Sequence, residues 1–343
     1  FVCNYVRSSG FLAEPKTFCF IPDDRGMLNQ VLAGVDSLEN IWALGHCSYA
    51  LPENQYTLSQ EYVKKIPLES LEKVVLGFGL GSYRFTKFKK LERKPSQLVI
   101  PQQMKADFLQ TTLQAIFEVR EMINLPANLL GPKELAEQSL VLSHQFKGQV
   151  RVLQDETLLS EQYPFVYHVG KGSEKKPCLI DLSFGQENWP KVTLVGKGVC
   201  FDSGGLDLKS SSNMRLMKKD MGGAAHVLGL ARMILAQGLK IRLRVLIPAV
   251  ENMPSGSAYR PGDIFKTRKG TSVEIDNTDA EGRLILADAL YEAALEQPEL
   301  IIDISTLTGA ARIALGTDVP IFFSNSEVFS QSLLKASVIS QDP

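Results

Sequence analysis

Apolar positions along the chain fall into two kinds of run. Leu28, Val31, Leu32, Val35 and Leu38 follow the three-to-four spacing of a helix that buries one face. Residues 74–78 form a short continuous apolar run of the kind a buried strand carries. A polar, lysine-rich stretch over residues 87–97 leads to Pro101 and marks the approach to a domain boundary. Beyond it, residues 104–123 predict a long helix, and residues 133–146 another that starts from Gly131 and Pro132. Strand-like runs at 149–153, 178–182, 192–195, 243–250 and 300–304 then alternate with helical runs near 223–236 and 284–295. In the first of these helices Ala224, Leu228, Ala231 and Leu235 share a face. The pattern predicts a small N-terminal α/β domain over residues 1–100. A larger α/β domain over 101–343 follows, with a mixed, mostly parallel central sheet flanked by helices. In such sheets chemistry gathers at the carboxyl ends of the strands.

Composition narrows the function classes. At 44% apolar and 22% charged, 343 residues suit a soluble globular protein of two domains. Thirty-seven Lys and Arg against 38 Asp and Glu leave a net charge of −1, which speaks against a basic polyanion binder and an acidic disordered tail. The longest apolar runs, such as residues 245–250, fall far short of the ~18 residues that cross a bilayer. No signal-peptide pattern is visible, and an opening Phe1 in place of Met predicts that the natural start lies upstream. Five cysteines form no C-x-x-C pair; this disfavours a disulfide framework or thiolate zinc site and suits the cytoplasm. The four histidines lie far apart, so a metal would depend on oxygen ligands.

Two stretches concentrate the chemistry. Residues 195–223, VGKGVCFDSGGLDLKSSSNMRLMKKDMGG, place Lys197 at a strand end, Asp202 in a tight turn, Lys209 beyond it and Asp220 before a helix. Residues 277–283, NTDAEGR, add Asp279, Glu281 and Arg283 before another. Singly, an Asp before Gly is turn or cap chemistry, and Lys197 between glycines lacks the Walker spacing. Gly77, Gly79 and Gly81 are a weak echo of a dinucleotide loop, the basic residues at 84–94 suit a solvated face, and Cys200 suits a buried filler. Together, four carboxylates and three cations in glycine-rich loops call for compensating charge. Divalent metal supplies it: two ions ~3.5–4 Å apart, bridged by shared carboxylates, activate water and polarise a carbonyl. One lysine in that field can serve as a neutral nitrogen ligand, and a second as a cation for an oxyanion. The residues alone point to metal-assisted hydrolysis and leave the scissile bond open.

NTDAEGRL at 277–284 resembles the signature of the leucyl aminopeptidases, the cytosol aminopeptidase family. The similarity continues through VGKGVCFDSGGLDLK (195–209), KKDMGGAAHVLG (218–229), ENMPSGSAYRPGD (251–263) and STLTGAARIALG (305–316), with weaker matches at 80–89 and 123–137. The resemblance implies release of the N-terminal residue, preferably leucine or another apolar one, from peptides. It assigns Lys197, Asp202, Asp220, Asp279 and Glu281 to two divalent ions (manganese or zinc, with magnesium or cobalt as alternatives). Asp202 and Glu281 are shared between the ions, Lys197 and Asp220 complete the tighter site, and Asp279 the exchangeable one. Lys209 polarises the carbonyl. Arg283 holds a bicarbonate that acts as general base, cradled by Ala280, Gly282 and Leu307. Met217, Thr306 and Gly309 line the pocket for the first side chain. A cytoplasmic homohexamer is implied, as is a catalytic domain continuing past Pro343, so that the chain is truncated at its C terminus. The alternative reading is a DNA-binding or regulatory protein on the same scaffold, which the near-neutral charge disfavours. A catalytically dead homologue ranks lower because no expected ligand is missing.

Overall fold

A computed structural model describes residues 1–342. Contacts divide the chain into two units, one of residues 1–113 with the segment from Gly309 onward, the other of Gln114–Thr308. In the first unit, strand Phe18–Pro22 pairs antiparallel with Leu28–Ala33. Leu28, Val31 and Leu32, whose spacing predicts a helix, are therefore in a strand. The preceding turn decides it: Asp23 Oδ1 accepts from the N–H groups of Arg25 (2.8 Å) and Met27 (2.9 Å), and Gly26 takes φ +81°, so the chain folds back on itself.

The apolar run at 74–78 is a second correction. It lies in helix Leu68–Gly81, where Leu71, Val74, Val75 and Phe78 are buried. Gly77 and Gly81, one turn apart, let loop carbonyls press against the helix. A Cβ on Gly77 would lie 1.6 Å from Ile41 O, and one on Gly81 1.7 Å from Gly45 O. The glycines thus serve close helix packing, and the helix is apolar on most of its circumference because most of it is covered.

The second unit is built on a mixed sheet of Gln149–Leu153 (β1), Cys178–Phe184 (β2), Lys191–Gly196 (β3), Gly198–Asp202 (β4), Arg242–Asn252 (β5) and Leu300–Ile304 (β6). The order is β6-β3-β5-β2-β1, and β4 continues along β5 where β3 leaves it. Only β2 runs against the others. Alternation along the strands sends side chains to two covered faces. Ile180, Leu182, Val245, Ile247 and Ala249 pack with helices Pro132–Gln145 (α1) and Gly222–Ala236 (α3). Leu179, Val199 and Val250 join Phe165, Val166 and Val169 of helix Pro164–Gly170 (α2). Val195 and Leu246 pack with Leu286, Ala289 and Ala293 of helix Glu281–Leu295 (α4). Sequence alternation therefore gives the observed α/β architecture, with element ends shifted by a few residues. The carboxyl ends of β3, β4, β5 and β6 share one edge of this sheet.

Candidate metal centre

Lys197 occupies the break between β3 and β4. Its backbone N–H donates to Ile304 O of β6 (3.0 Å), and its carbonyl accepts from Ala224 N–H near the start of α3 (2.9 Å). The side chain is almost wholly buried. Its Nζ lies 2.8 Å from Asp220 Oδ2, 2.9 Å from Glu281 Oε1, and donates to Thr306 O at 3.0 Å. Burial works to lower its pKa, but Asp220 and Glu281 outweigh it and raise the pKa above the usual lysine value. Gly282 is the space this lysine runs through. A Cβ there would lie 2.5 Å from Lys197 Cε, 2.7 Å from its Nζ and 2.9 Å from Leu307 Cδ2.

Asp202 ends β4 and is buried. Its Oδ1 accepts from Gly204 N–H and from Asn252 Nδ2, both at 2.9 Å, while Lys209 Nζ lies 2.9 Å from Oδ2. Lys209 also pairs with Asp279 Oδ1. Burial opposes the charge on Lys209, yet the two aspartates raise its pKa. For Asp279, burial and the neighbouring Asp202 raise the pKa against the opposing effect of Lys209. Glycines shape the turn after Asp202: Gly204 (φ +88°) and Gly205 (φ +66°) sit in the left-handed region.

Asp220 lies in the 3₁₀ turn Met217–Met221 ahead of α3, and Glu281 opens α4. Thr306 donates its hydroxyl to Asp220 Oδ1 at 2.6 Å, so it orients one carboxylate while its carbonyl holds Lys197. Glu281 is buried, and its Oε2 has no hydrogen-bond partner. Burial, with Asp202 and Asp220 nearby, pushes its pKa up to about 8 despite Lys197. Carboxylate oxygens of Asp202, Asp279 and Glu281 lie within 4.8 Å of one another. Such a cluster is suited to hard cations.

The structure therefore brings together Lys197, Asp202, Lys209, Asp220, Asp279 and Glu281. Arg283 is exposed on the first turn of α4, and among the described residues no hydrogen bond or ion pair joins it to the cluster. Ala280 donates its N–H to Asn277 O (3.2 Å) within the turn, and Leu307 is 42% exposed. Met217 is half-buried. Gly309 belongs to the other unit, and a Cβ there would meet no atom within 4 Å. Sequence reasoning did not single out Asn252, Tyr259, Asp207 or Thr278, which surround the cluster. Their only trace is that Asp207 falls inside the VGKGVCFDSGGLDLK stretch, Asn252 and Tyr259 inside ENMPSGSAY, and Thr278 inside NTDAEGR.

The chain resembles known proteins over nearly its whole length. Residues 118–343 match the catalytic domain of the cytosol aminopeptidase family, and residues 2–101 match the M17 aminopeptidase N-terminal domain. Peptidase B of Serratia proteamaculans is 41% identical over 242 residues, covering 68% of this chain and 56% of its own length. The chain thus spans about half the length of the curated relatives it matches. The crystal structure of cytosol aminopeptidase from Coxiella burnetii superposes with a TM-score of 0.95 at 47% identity, covering 99% of this chain and 74% of that one. The bottromycin maturation enzyme BotP in complex with Mn gives a TM-score of 0.87 at 30% identity, covering 98% and 77%. A sheet edge bearing buried carboxylates and two lysines, within a chain so matched, leads to one conclusion: the chain belongs to the cytosol aminopeptidase family.

Proposed function

We propose that this chain carries the catalytic framework of an aminopeptidase that hydrolyses the N-terminal residue from peptides, favouring leucine or another apolar residue. The observation that supports it is the cluster itself, six charged side chains converging on one sheet edge in a member of this family. The donor set fits divalent cations: oxygens dominate, no thiolate or imidazole belongs to it, and Glu281 Oε2 is buried without a partner. Lys197, Asp202, Asp220, Asp279 and Glu281 would hold two ions, manganese or zinc foremost. When bound, such ions supply a Lewis acid for the peptide carbonyl and a water that is nucleophilic at neutral pH.

The chain's own groups have separate tasks. Lys197 would join the set as a neutral amine, since cationic charge opposes the carboxylates that now raise its pKa. Lys209, paired with Asp202 and Asp279 at the cluster's rim, would serve as the cation that stabilises the carbonyl oxygen as it gains negative charge. Thr306 fixes Asp220 by its hydroxyl and Lys197 by its carbonyl. Arg283, with the backbone near Ala280, Gly282 and Leu307, would hold the bicarbonate that takes a proton from water. Met217 would border the pocket for the substrate's first side chain. A methylene lost there discriminates by only ~1–3 kcal/mol, so selectivity is modest. A cytoplasmic homohexamer is the proposed assembly.

Manganese should activate hydrolysis of leucine amide, and a chelator should abolish it. An N-acetylated substrate should resist cleavage, because recognition depends on a free amine. Rapid turnover of the acetylated compound would overturn the exopeptidase reading.

A further inference from the structure

The cluster draws its carboxylates from distant stretches. Asp202 ends β4, whereas Asp279 and Glu281 belong to the turn before α4. Thr278 ties these stretches together. It is fully buried, and each of its polar atoms is bonded. The hydroxyl donates to Gly204 O at 2.6 Å and accepts from Asp207 N–H at 2.9 Å. The backbone N–H donates to Asp207 Oδ2 at 2.7 Å. The carbonyl accepts from Tyr259 Oη at 2.6 Å and from Asn252 Nδ2 at 3.0 Å.

Asn252, fully buried at the end of β5, also donates from Nδ2 to Asp202 Oδ1. Both partners of that nitrogen are acceptors, so the orientation of the amide is fixed by chemistry. With Gly204 N–H also on Oδ1, Asp202 has one oxygen held by the loop and β5, while the other, Oδ2, faces the cluster, where Lys209 Nζ lies 2.9 Å away. Five of these bonds involve backbone atoms of Thr278 or Gly204, which makes the arrangement one of position rather than of added charge.

We propose that Thr278 and Asn252 are positioning residues for the cation cluster, holding the 202–209 loop against the 277–281 turn and keeping Asp202 Oδ2 turned toward the cluster. The proposal rests on the metal reading above. Neither side chain needs to touch metal or substrate. Outer partners that orient ligands typically change metal affinity by ~10–100-fold when removed.

The test is Mn²⁺ binding to the chelator-stripped full chain, read from the electron paramagnetic resonance of free and bound ion. Thr278→Val removes the hydroxyl at nearly constant volume and should weaken binding of at least one ion by ~10–100-fold, whereas Thr278→Ser should stay within ~3-fold of the wild type. Asn252→Ala should weaken binding comparably. Asp207→Ala, at an exposed position, removes the acceptor of the Thr278 N–H, should lose ~10-fold and serves if the buried variants do not fold. Circular dichroism in chelator identifies the variants that are folded. A merely structural role would lower melting temperature in chelator and leave the affinity of the folded protein unchanged. Wild-type affinity in the folded variants overturns the proposal alone; a wild type that binds no Mn²⁺ overturns the metal reading and the proposal with it.

Discussion

Glu281 concentrates the cost of the site in one side chain. One oxygen meets Lys197, and the other is buried with nothing to accept from. Glu281→Gln should therefore abolish tight binding of two Mn²⁺ ions while raising the melting temperature of the chelated protein, measured by calorimetry at pH 7.5. Gly282→Ala is a harsher change than its size suggests. Its Cβ would enter the path of Lys197, whose end is pinned by two carboxylates and a carbonyl and cannot simply swing aside. Overpacking of this kind costs ~1–3 kcal/mol, to be read by urea unfolding, with at least a ~10-fold loss of peptidase activity. The charged residues of this cluster were legible in the sequence because charge beside glycine at strand ends is conspicuous. Thr278 was not. Its partners lie 71–74 positions away at Asp207 and Gly204 and include backbone atoms, which leave no residue-type signal.

At the scale of elements, α4 carries Glu281 at its start and is tied down along its length. Two turns on, buried Asp288 Oδ2 accepts the N–H groups of Phe165 (2.7 Å) and Val166 (3.0 Å) at the start of α2. Further along, Glu292 meets Arg244 at 2.8 Å and also pairs with Arg268. Burial pushes the Asp288 carboxyl up to about 7, against the two N–H donors and Arg268. The unfolded chain ionises it near the usual 3.8, so the folded state keeps a proton that the unfolded state releases. Its contribution to stability is complete below about 3.8 and is lost as pH rises through about 7. Asp288→Asn keeps an acceptor without that loss, and should gain ~2 kcal/mol relative to wild type between pH 5.5 and 8 in urea titrations. Asp288→Ala, which strands two buried donors, should lose ~2–4 kcal/mol at pH 5.5. Element types in the second unit were legible because period-two and period-3.6 patterns alternate there. The first unit was less so: a helix covered on most sides looks like a strand, and a hairpin strand whose partner lies across a five-residue loop can mimic helical spacing.

For the whole molecule, the two units differ in how well they bury their apolar residues. Nearly every side chain of β5 is covered, whereas helix Glu327–Ser340 in the other unit has none buried. Ile313 and Phe323 are each 90% exposed, and Val328 and Val338 78%. Large apolar side chains left this exposed favour burial against another chain. In line with the proposed hexamer, light scattering should return a mass above that of one chain at micromolar concentration; a monomer throughout that range would refute the assembly. The overall charge of −1 hid the local density of charge at the sheet edge, which only the fold assembles from strand ends, loops and helix starts far apart in the chain.

The passage of Lys197 beside Gly282 reaches beyond energetics into inheritance. The lysine depends on the glycine: a side chain at 282 obstructs it, whereas a shorter residue at 197 opens a hollow beneath the glycine in which a small side chain would meet only the flexible end of Leu307. The pair forms a single heritable unit split across two distant codons. Lineages that abandon the lysine are thereby released from the glycine, and the two positions should be replaced together when sequences sharing this fold are compared.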